Sequence, residues 1–107
     1  MKHVHILKRA SSVLELSKTD IEIIKTLVEK EKLLASELAA YVRRSERHVR
    51  GRISRLLKEG ILSREIEVLD NRRLAYRYYL RPLDEILHLV RNRLMHEINE
   101  IEKIAAE

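Results

Sequence analysis

Arg43, Arg44, Arg47, Arg50, Arg52, Arg55 and Lys58 crowd into residues 41–58, where Glu46 is the single acid. Seven bases against one acid give this stretch a local charge of +6, against +5 for the whole 107-residue chain, so the remainder is slightly acidic. Coulomb attraction between exposed charges fades beyond a Debye length of roughly 8 Å at physiological salt. A concentrated patch of guanidinium and ammonium groups is therefore what binding to a phosphate backbone requires, and a diffuse basic surface would not serve.

The patch has two faces when laid on a helix. At 100° per residue from Ser45, the apolar Val49, Ile53, Leu56 and Leu57 fall between about 20° and 120° and form a core stripe. Arg47, Gly51, Ser54, Arg55 and Lys58 lie opposite, with His48 alongside and Arg50 and Arg52 flanking the stripe. Gly51 costs a helix interior about 1 kcal/mol relative to alanine, and its missing side chain lets the helix axis approach a groove floor. Arg47 and His48, in the first turn, are placed to reach base edges, where Arg bonds guanine O6 and N7 together. Arg43, Arg44, Arg50, Arg55 and Lys58 suit phosphates, which position without specifying sequence.

Other candidate chemistry is thin. Arg72 and Arg73, at a hairpin tip, are the hairpin's candidate contacts to nucleic acid, to which Arg64 or Arg77 could add; basic tips also blunt exposed strand edges. Tyr76, Tyr78 and Tyr79 suit strand packing better than base stacking. His88 and His96 are eight residues apart on one helix, about 12 Å along its axis, so they cannot chelate one ion together. His3 and His5 offer no better set, and without cysteine there is no thiolate site. No Gly-rich phosphate loop or Ser, His and Asp arrangement appears, so neither a cofactor, a metal nor enzyme activity is expected.

The elements that position these residues follow from periodicity. Residues 3–16 place Ile6, Ala10, Val13 and Leu14 on one helical face. Ser17 and Asp20 form a capping box opening a second helix, whose stripe is Ile21, Ile24, Leu27 and Val28. Residues 36–42 form a short helix with Leu38, Ala39 and Val42 inward, and a turn leads to Ser45, the N-cap of a helix that stops at Gly60. Leu62–Val68 and Leu74–Leu80 read as a hairpin around Asp70–Arg73. Pro82 then occupies a first helical position, and residues 82–107 run helical, with Leu83, Leu87, Val90, Leu94, Ile98 and Ile101 spaced as a coiled-coil seam.

This order predicts a mainly α fold with a small β-hairpin, a winged helix-turn-helix. It divides into an amphipathic helix (1–16), a DNA-binding domain (17–81) and a long dimerisation helix (82–107). The absent cysteines and the lack of a long apolar run or signal-peptide core lead to the expectation of a cytoplasmic, nucleoid-associated protein with no membrane partner. Charged residues make up 36% of the chain and Gln is absent, a bias that suits the ion-pair networks of heat-adapted proteins.

The stretch Glu37–Leu62, through Glu37-Leu38-Ala39, Val49, Ile53, Leu56-Leu57 and Gly60-Ile61-Leu62, resembles prokaryotic winged-helix transcription regulators, above all the archaeal TrmB-like group and its MarR-like and ArsR-like relatives. Arg77–Pro82 and the long helix after them extend the resemblance over residues 17–107. It implies a homodimer that docks its recognition helices in successive major grooves of double-stranded DNA. Where such families often place Gly and then an aliphatic residue in the turn, this chain has Arg43 and Arg44. The sugar-binding domain of larger TrmB-like proteins has no counterpart here, so the resemblance implies no effector. Two other readings stay open: an architectural chromatin protein without base specificity, and a protein-interaction winged helix within a larger complex.

Overall fold

Ser17 and Asp20 start the helical core as a reciprocal pair. The Asp20 N–H donates to Ser17 Oγ at 3.1 Å and the Ser17 N–H to Asp20 Oδ2 at 2.8 Å, satisfying two end groups of the helix. The computed structural model describes residues 2–107, with the elements α1 (Lys2–Arg9), α2 (Lys18–Lys30), β1 (Leu33–Leu34), α3 (Ala35–Val42), α4 (Glu46–Glu59), β2 (Leu62–Val68), β3 (Leu74–Leu80) and α5 (Leu83–Ala106). The strands form an antiparallel sheet in the order β1-β3-β2, and the expected hairpin pairs Leu62 with Leu80 through to Val68 with Leu74. This is the winged helix-turn-helix expected from the sequence, with β1 as an unforeseen third strand.

The core gathers Leu7, Ile23, Ile24, Leu27, Leu38, Val49, Ile53, Leu56, Ile61, Leu62 and Ile86, all essentially without solvent contact. Several expectations need correction. The first helix ends at Arg9 rather than residue 16, because Ser11 and Ser12 favour turns and Glu15 takes a left-handed φ of 55°. The helix buries Val4 and Leu7 and the turn after it buries Ala10 and Leu14, leaving Ile6 and Val13 half-buried. In α2, Ile23 is buried and Ile21 only partly. Pro82 is the N-cap of α5 rather than its first helical residue.

Only the N-terminal half of α5 packs on the domain. Ile86 is buried, Leu89 and Val90 rest against the core, and the Arg93 guanidinium holds Glu59 at 2.8 Å. Every residue from Leu94 onward is exposed. The Cα radius of gyration is 15.9 Å, against about 13 Å for a compact chain of this length. The helix of 24 residues, roughly 36 Å long, accounts for the excess and for the 60 Å long axis. Among the described residues no helix is long and apolar enough to cross a membrane.

Candidate nucleic-acid interface

The turn and helix from Arg43 to Gly60 carry most of the predicted site. Arg43 caps α3 in the left-handed conformation, φ 57° and ψ 45°, and its N–H donates to the Ala39 carbonyl. The turn therefore closes with arginine, not glycine, in the left-handed position. Ser45 Oγ accepts from the His48 N–H at 3.1 Å, so α4 begins as expected, and Gly60 ends it at φ 84°. Val49, Ile53 and Leu56 seal the inner face, and Leu57 lies half-buried beside them.

The outer face is a stripe. Arg47, Gly51, Ser54 and Lys58, at spacings of four, three and four, are all exposed, with Arg43 and Arg44 at the N-terminal end. Arg47 and Lys58 enter no ion pair among the described residues. Gly51 faces open space, with nothing within 4 Å of the position a Cβ would take. No internal packing accounts for glycine at this point of the helix.

Four side chains of the patch are engaged by the domain itself. Arg55 turns inward: its guanidinium donates to the carbonyls of Leu14 (3.0 Å) and Glu15, and lies 3.5 Å from Asp20. Those carbonyls belong to the turn after α1 and lack helical partners, so Arg55 serves that turn and is withdrawn from a phosphate backbone. Arg52 is likewise removed, bonding Asp20 through Nε and Nη2. Burial pushes the Asp20 carboxyl up, but hydrogen bonds from Arg52 and Ser17 outweigh it and hold its pKa below the usual carboxylate value. Arg50 stays exposed but pairs with Glu46 at 2.6 Å, which dilutes its charge. His48 is exposed, with Nε2 3.2 Å from Thr19 Oγ1, so one ring edge is held by α2.

The basic groups that remain on the outside are Arg43, Arg44, Arg47, Arg50 and Lys58, with Glu46 beside them, fewer than the seven counted in the sequence.

The wing adds its tip. Leu69–Arg72 closes a turn in which the Arg72 N–H donates to the Leu69 carbonyl at 2.8 Å, and Arg72 is left-handed at φ 62°. Arg73 follows, its N–H donating to Asn71 Oδ1, and both arginine side chains are exposed. Glycine would be the less strained residue at Arg43 and at Arg72, and both positions hold an arginine on the outside of the domain. Arg77 does not join the tip, being tied to Glu67 and Glu37. Of the three tyrosines expected to pack, Tyr78 is buried and Tyr79 half-buried, whereas Tyr76 stays exposed because nothing covers the outer part of its strand among the described residues.

Of the predicted seam, Leu87, Leu94, Ile98 and Ile101 are exposed, whereas Leu83 and Val90 are half-buried on their own domain. Ile6, Ala10 and Val13 of the N-terminal segment meet Val90 and Leu94 across a shallow groove of about 270 Å³. Among the described residues no three His, Asp or Glu side chains gather to hold a metal ion.

No protein-family model and no curated protein sequence matches the chain. Solved structures do. A possible transcriptional regulator from Methanosarcina mazei Go1 superposes with a TM-score of 0.81 at 16% identity, over 94% of this chain and 86% of that one. A protein from the thermoacidophilic archaeon Sulfolobus tokodaii matches with a TM-score of 0.69 at 23% identity, over 98% of this chain and 99% of that one. A MarR family transcriptional regulator from Silicibacter pomeroyi DSS gives 0.58 at 17% identity, over 96% and 79%. In its element order, its sheet and these superpositions, the chain has the winged helix-turn-helix fold of MarR-type structures.

Proposed function

We propose that this chain is a DNA-binding transcriptional regulator that acts as a homodimer, with α4 in the major groove of a duplex. The observation that carries the reading is the stripe Arg47, Gly51, Ser54 and Lys58: a solvent face without an acid, on a helix whose other face is core. Arg47 reads a base edge, aided by the free edge of the His48 ring, and Arg43, Arg44, Arg50 and Lys58 meet phosphates. Arg72 and Arg73 reach the backbone or minor groove beside it. The regulator titles of the superposed structures support the same reading.

The apolar residues left in water along α5, together with the groove against α1, support pairing with a second copy. Two such domains prefer an inverted repeat with half-sites about 10 base pairs apart. The TrmB-like subgroup, a heat-adapted archaeal source and residence at the nucleoid belong to the same proposal. They rest on Glu37–Leu62 and on the charge bias.

A second reading, an architectural DNA-binding protein, is favoured by one observation. With His48 held against Thr19, Arg47 is the one long, unpaired side chain in the first turn of α4. Footprinting on a genomic library separates the two. Discrete protected half-sites support the regulator, and even coverage with no preferred site overturns it in favour of the architectural role.

A further inference from the structure

The wing has two unlike faces. On one, Glu65 and Glu67 are tied to Lys32 and Arg77, so acids and bases cancel. The other carries Arg64, Ile66 and Val68 of β2 opposite Tyr78, Tyr76 and Leu74 of β3. Tyr78 is buried, but beyond it nothing among the described residues covers the strip: Ile66, Val68 and Leu74 are 61%, 65% and 70% exposed. An edge ribbon left in water ordinarily carries charge at such positions, and adjacent large aliphatics mark an interaction surface.

The strip is ringed by cations. The Arg64 guanidinium lies 4.0 Å from the Tyr76 ring centroid, Arg72 and Arg73 stand at the tip, and Asp70 is the one acid there. Leu74 and Tyr76 also border a cleft of about 250 Å³ that Arg50 of α4 helps to line. The apolar strip therefore shares its side of the domain with the recognition helix. A second copy of the strip would set arginines against arginines, so the charge pattern selects a polyanion that also offers apolar C–H surface.

We infer that the wing is an apolar wedge for the minor groove of duplex DNA, which rests on the DNA-binding reading above. Ile66, Val68 and Leu74 pack on sugars and base edges, and Arg64, Arg72 and Arg73 hold the flanking phosphates. Two strands about 4.8 Å apart, with side chains added, are broader than a minor groove of about 6 Å. Seating this face must widen the groove, and apolar side chains that do so bend a duplex by roughly 20–90°.

The test is energy transfer between dyes on the two ends of a duplex, titrated with the full chain. The wild type is expected to change the transfer on binding. A Val68→Ser/Leu74→Ser variant, which alters only exposed side chains, is expected to bind about ten-fold more weakly or to bind without that change, keeping the wild-type salt dependence. Arg72→Ala/Arg73→Ala should instead flatten the salt dependence. A serine variant that bends and binds as the wild type does overturns the wedge, as does a wild type that binds without bending. Loss of self-association in the serine variant with unchanged DNA binding assigns the strip to contact between copies and also overturns it. A wild type that binds no duplex removes the DNA reading together with the wedge, so the two failures are distinguishable.

Discussion

Arg52 clasps the buried Asp20 carboxylate with two guanidinium N–H groups, Nε to Oδ1 at 2.8 Å and Nη2 to Oδ2 at 2.7 Å. The clasp joins the first turn of α2 to the middle of α4, and Arg55 adds the turn after α1 to the same carboxylate. The helix that presents Arg47 and Lys58 is thus fixed to its scaffold by charge as well as by apolar packing.

Replacing Asp20 by Asn leaves Arg52 and Arg55 without their shared counter-charge and is expected to cost about 3 kcal/mol. The Asp20 pKa is depressed in the fold, so its contribution is complete above the unfolded value of about 3.9 and is lost as pH falls through the lower folded value. Thermal melts from neutral to acid pH should show the wild type losing stability below about pH 4. Asp20→Asn should be weaker throughout and flatter in that window. Parallel curves would contradict the assignment.

Arg55 and Lys58 lie less than one turn apart on α4 but have different roles. Lys58→Ala should reduce the slope of log affinity against log salt by about 0.9, as loss of one phosphate contact does. Arg55→Ala should leave the slope unchanged and lower the melting temperature, because its partners are the carbonyls of Leu14 and Glu15. Equal slopes for the two variants would mean that Arg55 leaves the turn when DNA binds.

Gly51→Ala separates folding from binding. Nothing in the domain obstructs the new methyl group, so helix propensity predicts a gain of up to about 1 kcal/mol. Duplex affinity should fall, since the methyl group occupies the line of closest approach. A variant that is both more stable and equally tight would show that the helix axis keeps its distance.

Leu94→Glu tests the outer seam of α5. The side chain is exposed in the single chain, so the variant should stay folded. Sedimentation should find a dimer for the wild type and a monomer for the variant. A wild type that sediments as a monomer would assign the apolar face to something other than a second copy.

The sequence made α4 legible because all of its signals are local: Ser45 and Gly60 at its ends, and a 3.6-residue period between them. Arg55 was not legible. Its angular position resembles that of a solvent residue, and the carbonyls that capture it lie some 40 positions earlier in the chain. β1, with two residues, is too short to show a period of two. Ile86 was hidden because α5 has two apolar faces, one closing its own core and one left outside, and the heptad pattern runs along their border, taking Leu83 and Val90 from the first and Leu87, Leu94, Ile98 and Ile101 from the second. The shortening of α1 turns on Ser11, Ser12 and Glu15, whose competing turn outweighs the apolar spacing of Ile6 and Val13.

The central claim is that α4 reads base sequence through Arg47. Selection of bound duplexes from a random pool at a stated salt concentration, with the wild type and with Arg47→Ala, tests it most directly. A paired motif is expected for the wild type, and for Arg47→Ala a loss of about 1–3 kcal/mol of discrimination at one position in each half-site, with the other positions unchanged. No motif for the wild type, or the same motif for both proteins, would contradict it.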